Sequence, residues 1–263
     1  DRYDNRYGVV AEPDVTIRMQ RDHLAAEGEW RELDGPLRSV RARLGRTVYE
    51  HRELEGDGSV GTVFSSRGNE ARVEAEHASL GRWRGVLGAQ WESSDFAALG
   101  AEAFVPSTTT TRQALFVVEE TTWALGTLSA GARIERARIA SAGDADPAQP
   151  QFGPARERRF SPSSLSLSNL WKFAPEWSLA TSVAQTQRAP TSFELFANGV
   201  HAATAAYERG DATLGSERGR NLDAALRWAA GASEVRVGVF EARFSRYIAL
   251  SATGGTVDVP ADG

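Results

Sequence analysis

The feature that most restricts the fold of this chain is a period-two alternation of apolar and polar residues, repeated in segment after segment. From Pro36 to Tyr49, Val40, Ala42, Leu44 and Val48 share one face while Ser39, Arg41, Arg43 and Thr47 share the other. Trp83, Leu87, Ala89 and Trp91 oppose Arg84, Gln90 and Glu92; Ala71, Val73 and Ala75 oppose Glu70, Arg72, Glu74 and Glu76. Leu222, Ala224, Leu226 and Trp228 repeat the pattern against Asn221, Asp223 and Arg227. The alternation is weaker from Arg112 to Glu120 and from Val235 to Phe244.

Counting these segments gives about ten antiparallel strands, with connections that alternate between short and long. The short ones fall near Leu33 to Leu37, Ser79 to Arg82, Ala124 to Gly126, Ala174 to Glu176 and Ala229 to Ser233, and carry turn residues such as Asp-Gly-Pro and Leu-Gly. The long ones are expected at Arg52 to Gly61, Ser93 to Ser107, Ser141 to Glu157 and Arg188 to Gly219. Trp30, Trp83, Trp123, Trp171, Trp177 and Trp228 all sit within a few residues of a short turn, as an interfacial aromatic girdle would require. The expectation is an all-β, antiparallel transmembrane β-barrel segment with turns on the periplasmic side and loops outside. A soluble β-sandwich shares the alternation, but core tryptophans have no reason to collect at one strand end.

No run of about 18 apolar residues occurs, so no transmembrane helix is encoded. A formal charge of -5 argues against a nucleic-acid partner, which would need a concentrated basic face. The absence of cysteine excludes disulfides and thiolate metal sites, and suits export through an oxidising compartment. The opening run Asp1 to Arg6 is polar, so any signal peptide has been removed or the chain is an internal piece. No nucleophile elbow, zinc-protease helix or phosphate-binding glycine loop is present, and an enzyme is not expected.

Late in the chain, Arg188, Pro190, Glu194, Leu195 and Phe196, then Gly210, Leu214, Glu217 and Asn221, resemble two consecutive motifs of TonB-dependent outer-membrane receptors. The wording is closest to the ZnuD type, which takes up zinc, and the likeness reaches back to about Leu37. This resemblance implies a 22-stranded barrel of which residues 1–263 would be a partial wall, with the plug domain and remaining strands absent. It further implies import of a scarce nutrient, zinc first and siderophore-iron or cobalamin as the alternative. The implied partners are the TonB-ExbB-ExbD energy-coupling complex acting through the plug, outer-membrane lipid and lipopolysaccharide, and a metal ion or metal chelate. A passive porin-like barrel or a surface adhesion protein is the competing class.

No resident cofactor is expected; zinc would be transported ligand. The resemblance aligns His201 with a family histidine and makes it the leading candidate metal ligand, with Glu208 or Asp211 as carboxylate partner. His51, beside Glu50, Glu53 and Glu55, is a second candidate at the opening of a loop. The family's His-rich loop corresponds at most to Gly8 to His23, and Asn198 stands where the family pattern has a further histidine. His23 should precede the first strand, and His77 should lie on the lipid-facing register near a turn. The inward charges Arg41, Arg43, Arg72, Glu74, Glu76, Arg84 and Glu92 should pair across a wet lumen, and the block Arg156, Glu157, Arg158 and Arg159 could meet lipopolysaccharide phosphates. Arginine at Leu44, Ala89 or Leu226 should be costly, and at Ser39 or Gln90 cheap.

Overall fold

The computed structural model describes residues 1–8, 14–100, 103–146, 148–201 and 206–257. Among them are fourteen strands and one short helix. Ten strands are long, 12 to 18 residues each: β2 (Thr16–Trp30), β3 (Leu37–Leu54), β4 (Val60–His77), β5 (Trp83–Leu99), β6 (Thr108–Trp123), β7 (Gly126–Ser141), β9 (Ser163–Ala174), β10 (Trp177–Arg188), β13 (Glu217–Ala230) and β14 (Ser233–Ser245). These are the strands the alternation predicts. The four that it misses are short: β1 (Arg2–Gly8), β8 (Arg156–Phe160), β11 (Asn198–His201) and β12 (Ala206–Arg209). Helix α1 spans Ser192–Phe196.

Twelve strands form one antiparallel sheet in the order β1-β2-β3-β4-β5-β6-β7-β9-β10-β13-β14, with β8 pairing the upper part of β7; β11 and β12 form a separate hairpin. The large sheet is open, with β1 and β14 at its edges. Directly opposed residues in an antiparallel sheet point to the same side, so the register carries the face of one strand to the next. The row Val40–Ala75–Leu87–Val117–Ala132–Leu165 is apolar, as is Ala42–Val73–Ala89–Leu115–Ile134. Leu44, Leu115, Ile134 and Leu165 are exposed although strongly apolar, which suits a face solvated by lipid. Trp30, Trp83, Trp123, Trp171, Trp177 and Trp228 lie on this face at the turn end, where the register sets Trp177 directly opposite Trp228.

The strands run beyond the span that sequence pattern alone marks. β3 and β4 have 18 residues each, against the roughly 9–11 that a tilted strand needs to cross a bilayer. Consequently the expected loop from Arg52 to Gly61 is a tight turn, closed by the Glu55 amide donating to the Ser59 carbonyl at 2.9 Å. Residues Ser93 to Leu99 continue β5, and His23 lies within β2, not before the first strand. Above the bilayer both faces meet water, so the residues have no reason to alternate in polarity and the ladder leaves no period-two trace in the sequence.

Candidate functional site

On the inward face, charges are neutralised across and along strands. Arg41 reaches Glu29 at 3.2 Å and Glu27 at 3.5 Å, Arg43 reaches Glu27 at 3.2 Å, and Arg72 reaches Glu74 at 2.8 Å. Arg133 pairs with Glu135 at 3.0 Å and Arg84 with Glu120 at 2.5 Å. Gln90 accepts from both Arg72 (3.3 Å) and Arg133 (3.1 Å), so a third cation there would meet two others; tolerance of arginine at Gln90 is corrected by this geometry. The Arg72 guanidinium also lies 4.3 Å from the centre of the Phe116 ring, which rests over Gly88 where any Cβ would collide.

At the loop end the motif residues form an ion-paired hub. Arg188, the last residue of β10, holds Glu194 through two parallel bonds of 2.9 Å and Glu217, its cross-strand partner on β13, at 3.3 Å. Glu217 in turn accepts the Ile248 amide at 2.9 Å. Helix α1 starts on a capping box: Thr191 Oγ1 accepts the Glu194 amide at 3.2 Å and Glu194 accepts the Thr191 amide at 2.7 Å. Burial works against the Glu194 charge, but Arg188 and the Thr191 amide outweigh it and hold the carboxyl below the ordinary range. Leu195 and Phe196 then pack with Ala137, Ile139, Phe160 and Ala189. Gly210 lies against this turn, where a Cβ would come within 2.8 Å of the Leu195 and Phe196 backbone. The motif that carries the family resemblance is thus architectural: it pins one helical turn to the wall.

Next to the hub, three connections are tied into one cap. Gln151 Nε2 donates to the Ala103 carbonyl at 2.9 Å and the Asn198 carbonyl at 2.8 Å, while the Asn198 side chain donates back to the Gln151 carbonyl. The Asn198 amide donates to the Phe104 carbonyl at 2.8 Å. Phe104, Val105 and Ala197 are buried together, and Phe193 of α1 contacts the rings of Phe96 and Phe104. Beneath α1 a polar chamber of 410 Å³ is lined by Gly45, Glu70, Glu92, Arg112 and Phe193, among others.

His201 sits in this cap on the β11–β12 hairpin. Its ring stacks on Phe104 at 4.3 Å, and its Nδ1 lies 2.7 Å from Glu208 Oε1. Asp211 is engaged elsewhere: its carboxylate accepts from the Thr213 hydroxyl at 2.6 Å and amide at 2.7 Å, which holds it below the usual carboxylate range. His51 lies within β3 and not at the mouth of a loop; it stacks on Phe64 at 4.4 Å, meets the Tyr49 hydroxyl at 2.9 Å and stands 3.9 Å from Glu53. Among the described residues no three His, Asp or Glu side chains converge as a metal cage. His23 bonds Thr47 at 2.9 Å, and His77, on the outward register, bonds the Ala78 carbonyl at 2.7 Å and Glu119 at 3.0 Å. Of the Gly8 to His23 stretch, residues 9–13 lie outside the described residues.

Of the two carboxylates expected beside His201, Glu208 lies next to it and Asp211 is bonded to Thr213 instead, while Gln151 and Phe104 stand outside the expected set. Gln151 binds backbone carbonyls, which leave no sequence signature, whereas the apolar triplet Ala103-Phe104-Val105 inside a connection was a usable signal.

Residues 3–261 match the family model for a TonB dependent receptor-like β-barrel. The fold is similar to that of the copper transporter OprC (14% identity, TM-score 0.69), covering 92% of this chain and 44% of that one. It also resembles the hemophore receptor HasR of Serratia marcescens, solved with its hemophore and heme (15% identity, TM-score 0.67, 89% of this chain and 41% of that one). A third likeness is to the FrpB iron transporter of Neisseria meningitidis (13% identity, TM-score 0.64, 93% and 40%). This chain therefore spans less than half the length of each of the three.

Proposed function

Because the chain belongs to the TonB-dependent receptor-like β-barrel family of the bacterial outer membrane, we propose that it forms part of the wall and external cap of an energised importer for a scarce metal, with zinc as the first cargo. The observation that carries this reading is the His201–Glu208 pair, an imidazole and a carboxylate 2.7 Å apart on the β11–β12 hairpin in a cap of tied loops. Both are donor types that zinc favours. Two protein donors are too few for a closed structural site, and they suit a cargo that must be captured and then released. Asp211 would complete the set only after leaving the Thr213 hydroxyl and amide, and His51, fixed within β3, would be a separate contact. The inward ion-pair lining offers a polar surface against which a plug could rest, with the TonB-ExbB-ExbD complex acting on that plug. The protein binds and gates and transforms nothing.

A second reading is a metal chelate such as a ferric siderophore or cobalamin, favoured by the Phe96, Phe104 and Phe193 rings, which offer more apolar contact than a bare ion uses. The test is calorimetry on the complete receptor in detergent, titrating zinc, a ferric chelate and cobalamin in parallel. Zinc binding weakened at least about tenfold by His201→Ala supports the zinc reading. Tight chelate or cobalamin binding without zinc binding replaces the cargo and keeps the receptor.

A further inference from the structure

The polar chamber between the wall and α1 has a floor whose charges are not closed into pairs. On the inward face the register sets Gly45–Glu70–Glu92–Arg112 in one row, and Thr47–Gly68–Ser94–Thr110 in the inward row next to it on the loop side. Both rows line the chamber, and Phe193 of α1 lines it from the other side. In the inward rows nearer the turn end, Arg72 takes Glu74 and Arg133 takes Glu135. The chamber floor differs. Glu70 and Glu92 are like charges set directly opposite each other, an arrangement that weakens a ladder. Glu70 leans over Gly45, where a Cβ would fall 2.5 Å from its Oε1, and it has no hydrogen bond or ion pair among the described residues. Glu92 accepts from Gln90. Arg112, directly opposite Glu92, forms no ion pair with it, and the Arg112 Nε is buried without a partner.

A buried donor that lacks an acceptor costs free energy that a bound group can recover. The mixture of charges narrows the chemistry of that group. An anion would face Glu70 and Glu92, and a cation would have Arg112 beside it. A hydroxyl donates and accepts at once, so a neutral ligand with several hydroxyls satisfies carboxylates and guanidinium alike. Ser94 and Thr110 add two side-chain hydroxyls to the same surface, and Phe193, 40% exposed, presents an aromatic ring. A volume of 410 Å³ suits a small organic molecule that is gripped by a few polar groups and one aromatic face.

We propose that this chamber binds a neutral, hydroxyl-rich ligand, a saccharide of one or two rings. Glu70 and Glu92 accept from its hydroxyls, Arg112, Ser94 and Thr110 donate to them, and Phe193 packs on the C–H face of a ring. Gly68 keeps the floor open, because nothing lies within 4 Å of the place where its Cβ would stand. The inference goes beyond the metal reading and does not depend on His201.

The test uses the complete receptor in a detergent without a sugar headgroup and saturation-transfer NMR. Maltose and N,N′-diacetylchitobiose are the neutral probes, citrate the polyanion and spermidine the polycation. At least one saccharide should receive saturation on its ring protons, and neither ion should displace it. Gly68→Val fills the floor without a clash and should abolish the transfer. Glu70→Gln and Phe193→Ala should each weaken binding about tenfold. Each variant is compared with wild type by the mobility of the folded, unheated barrel in SDS gels, so that loss of binding is not loss of fold. His201→Ala should bind the saccharide as wild type does; a loss there would merge the chamber with the metal site and overturn the proposal. Failure of both saccharides to bind, wild-type binding by folded Gly68→Val, or displacement by citrate or spermidine overturns it as well.

Discussion

The two ends of the wall are stabilised by different means. At the turn end the connections are short: only Leu125 and its neighbour separate β6 from β7, and Gly231 with Ala232 separates β13 from β14. Gly35, Gly81 and Gly231 there adopt left-handed backbone at φ of 103°, 65° and 55°, the conformations a tight reversal requires. Large side chains at this end, Trp30, Leu80 and Leu125 among them, are exposed. At the loop end the reverse holds: Ile139, Leu195 and Phe196 are buried in one cluster, and Phe104 and Val105 in a second with Ala197. The turn end borrows its apolar solvent from the bilayer, whereas the loop end, standing in water, must build its own core.

Removing a piece of that core should have the largest effect. Leu195 is 2% exposed in the cluster beneath α1, and Leu195→Ala should destabilise the cap by about 2–5 kcal/mol. Leu125→Ala, in a lipid-level turn, should change stability by no more than about 0.5 kcal/mol. Limited proteolysis of the folded receptor separates the two, since only the first should open cleavage between residues 189 and 216. Equal effects at both ends would abolish the distinction.

The bilayer's share is tested next. Leu44 is 58% exposed on the outward face, so Leu44→Arg should cost about 2–4 kcal/mol in lipid. Ser39, inward and bonded to Glu76 at 3.2 Å, should accept arginine with little change because a carboxylate awaits it. Unfolding titrations in liposomes give both numbers, and equal costs would mean that the register has been assigned to the wrong faces.

This division also explains what could be read from the sequence. Where bilayer opposes lumen, polarity must alternate, and Val40 to Leu44 or Leu222 to Trp228 declare their strands and faces without help. The turn residues declare the reversals. Above the membrane that pressure vanishes, so Ser93 to Leu99 and Thr16 to His23 extend strands that look like loops. β1, β8, β11 and β12 are only four to seven residues long, too short for a period-two pattern to stand out in the sequence. The candidate site divides in the same way. His201 and Glu208 are seven residues apart on one hairpin and can be read as a pair, whereas Phe104 stacks on His201 from 97 residues away and Gln151 reaches Ala103 and Asn198 across 48 and 47 residues.

The smallest effect concerns acid. Asp144 accepts the amides of Phe152 at 2.5 Å and Gln151 at 2.7 Å, closing the loop that carries Gln151 into the cap. Those two donors hold its carboxyl below the ordinary range. A carboxyl whose folded pKa is depressed contributes its stabilisation in full above the unfolded value, near pH 4, and loses it as pH falls through the lower folded value. Taking the receptor from pH 5 to below pH 3 should therefore release residues 142–155 to pepsin while the turn at Leu125 stays uncut. Asp144→Asn keeps an acceptor oxygen but has no proton to gain, so in this variant the loop should be cut to the same extent at both pH values once pepsin's own activity is normalised. If the wild-type loop and the variant loop respond alike to acid, the cap is closed by Gln151 and its backbone partners alone, and Asp144 contributes nothing that pH can remove.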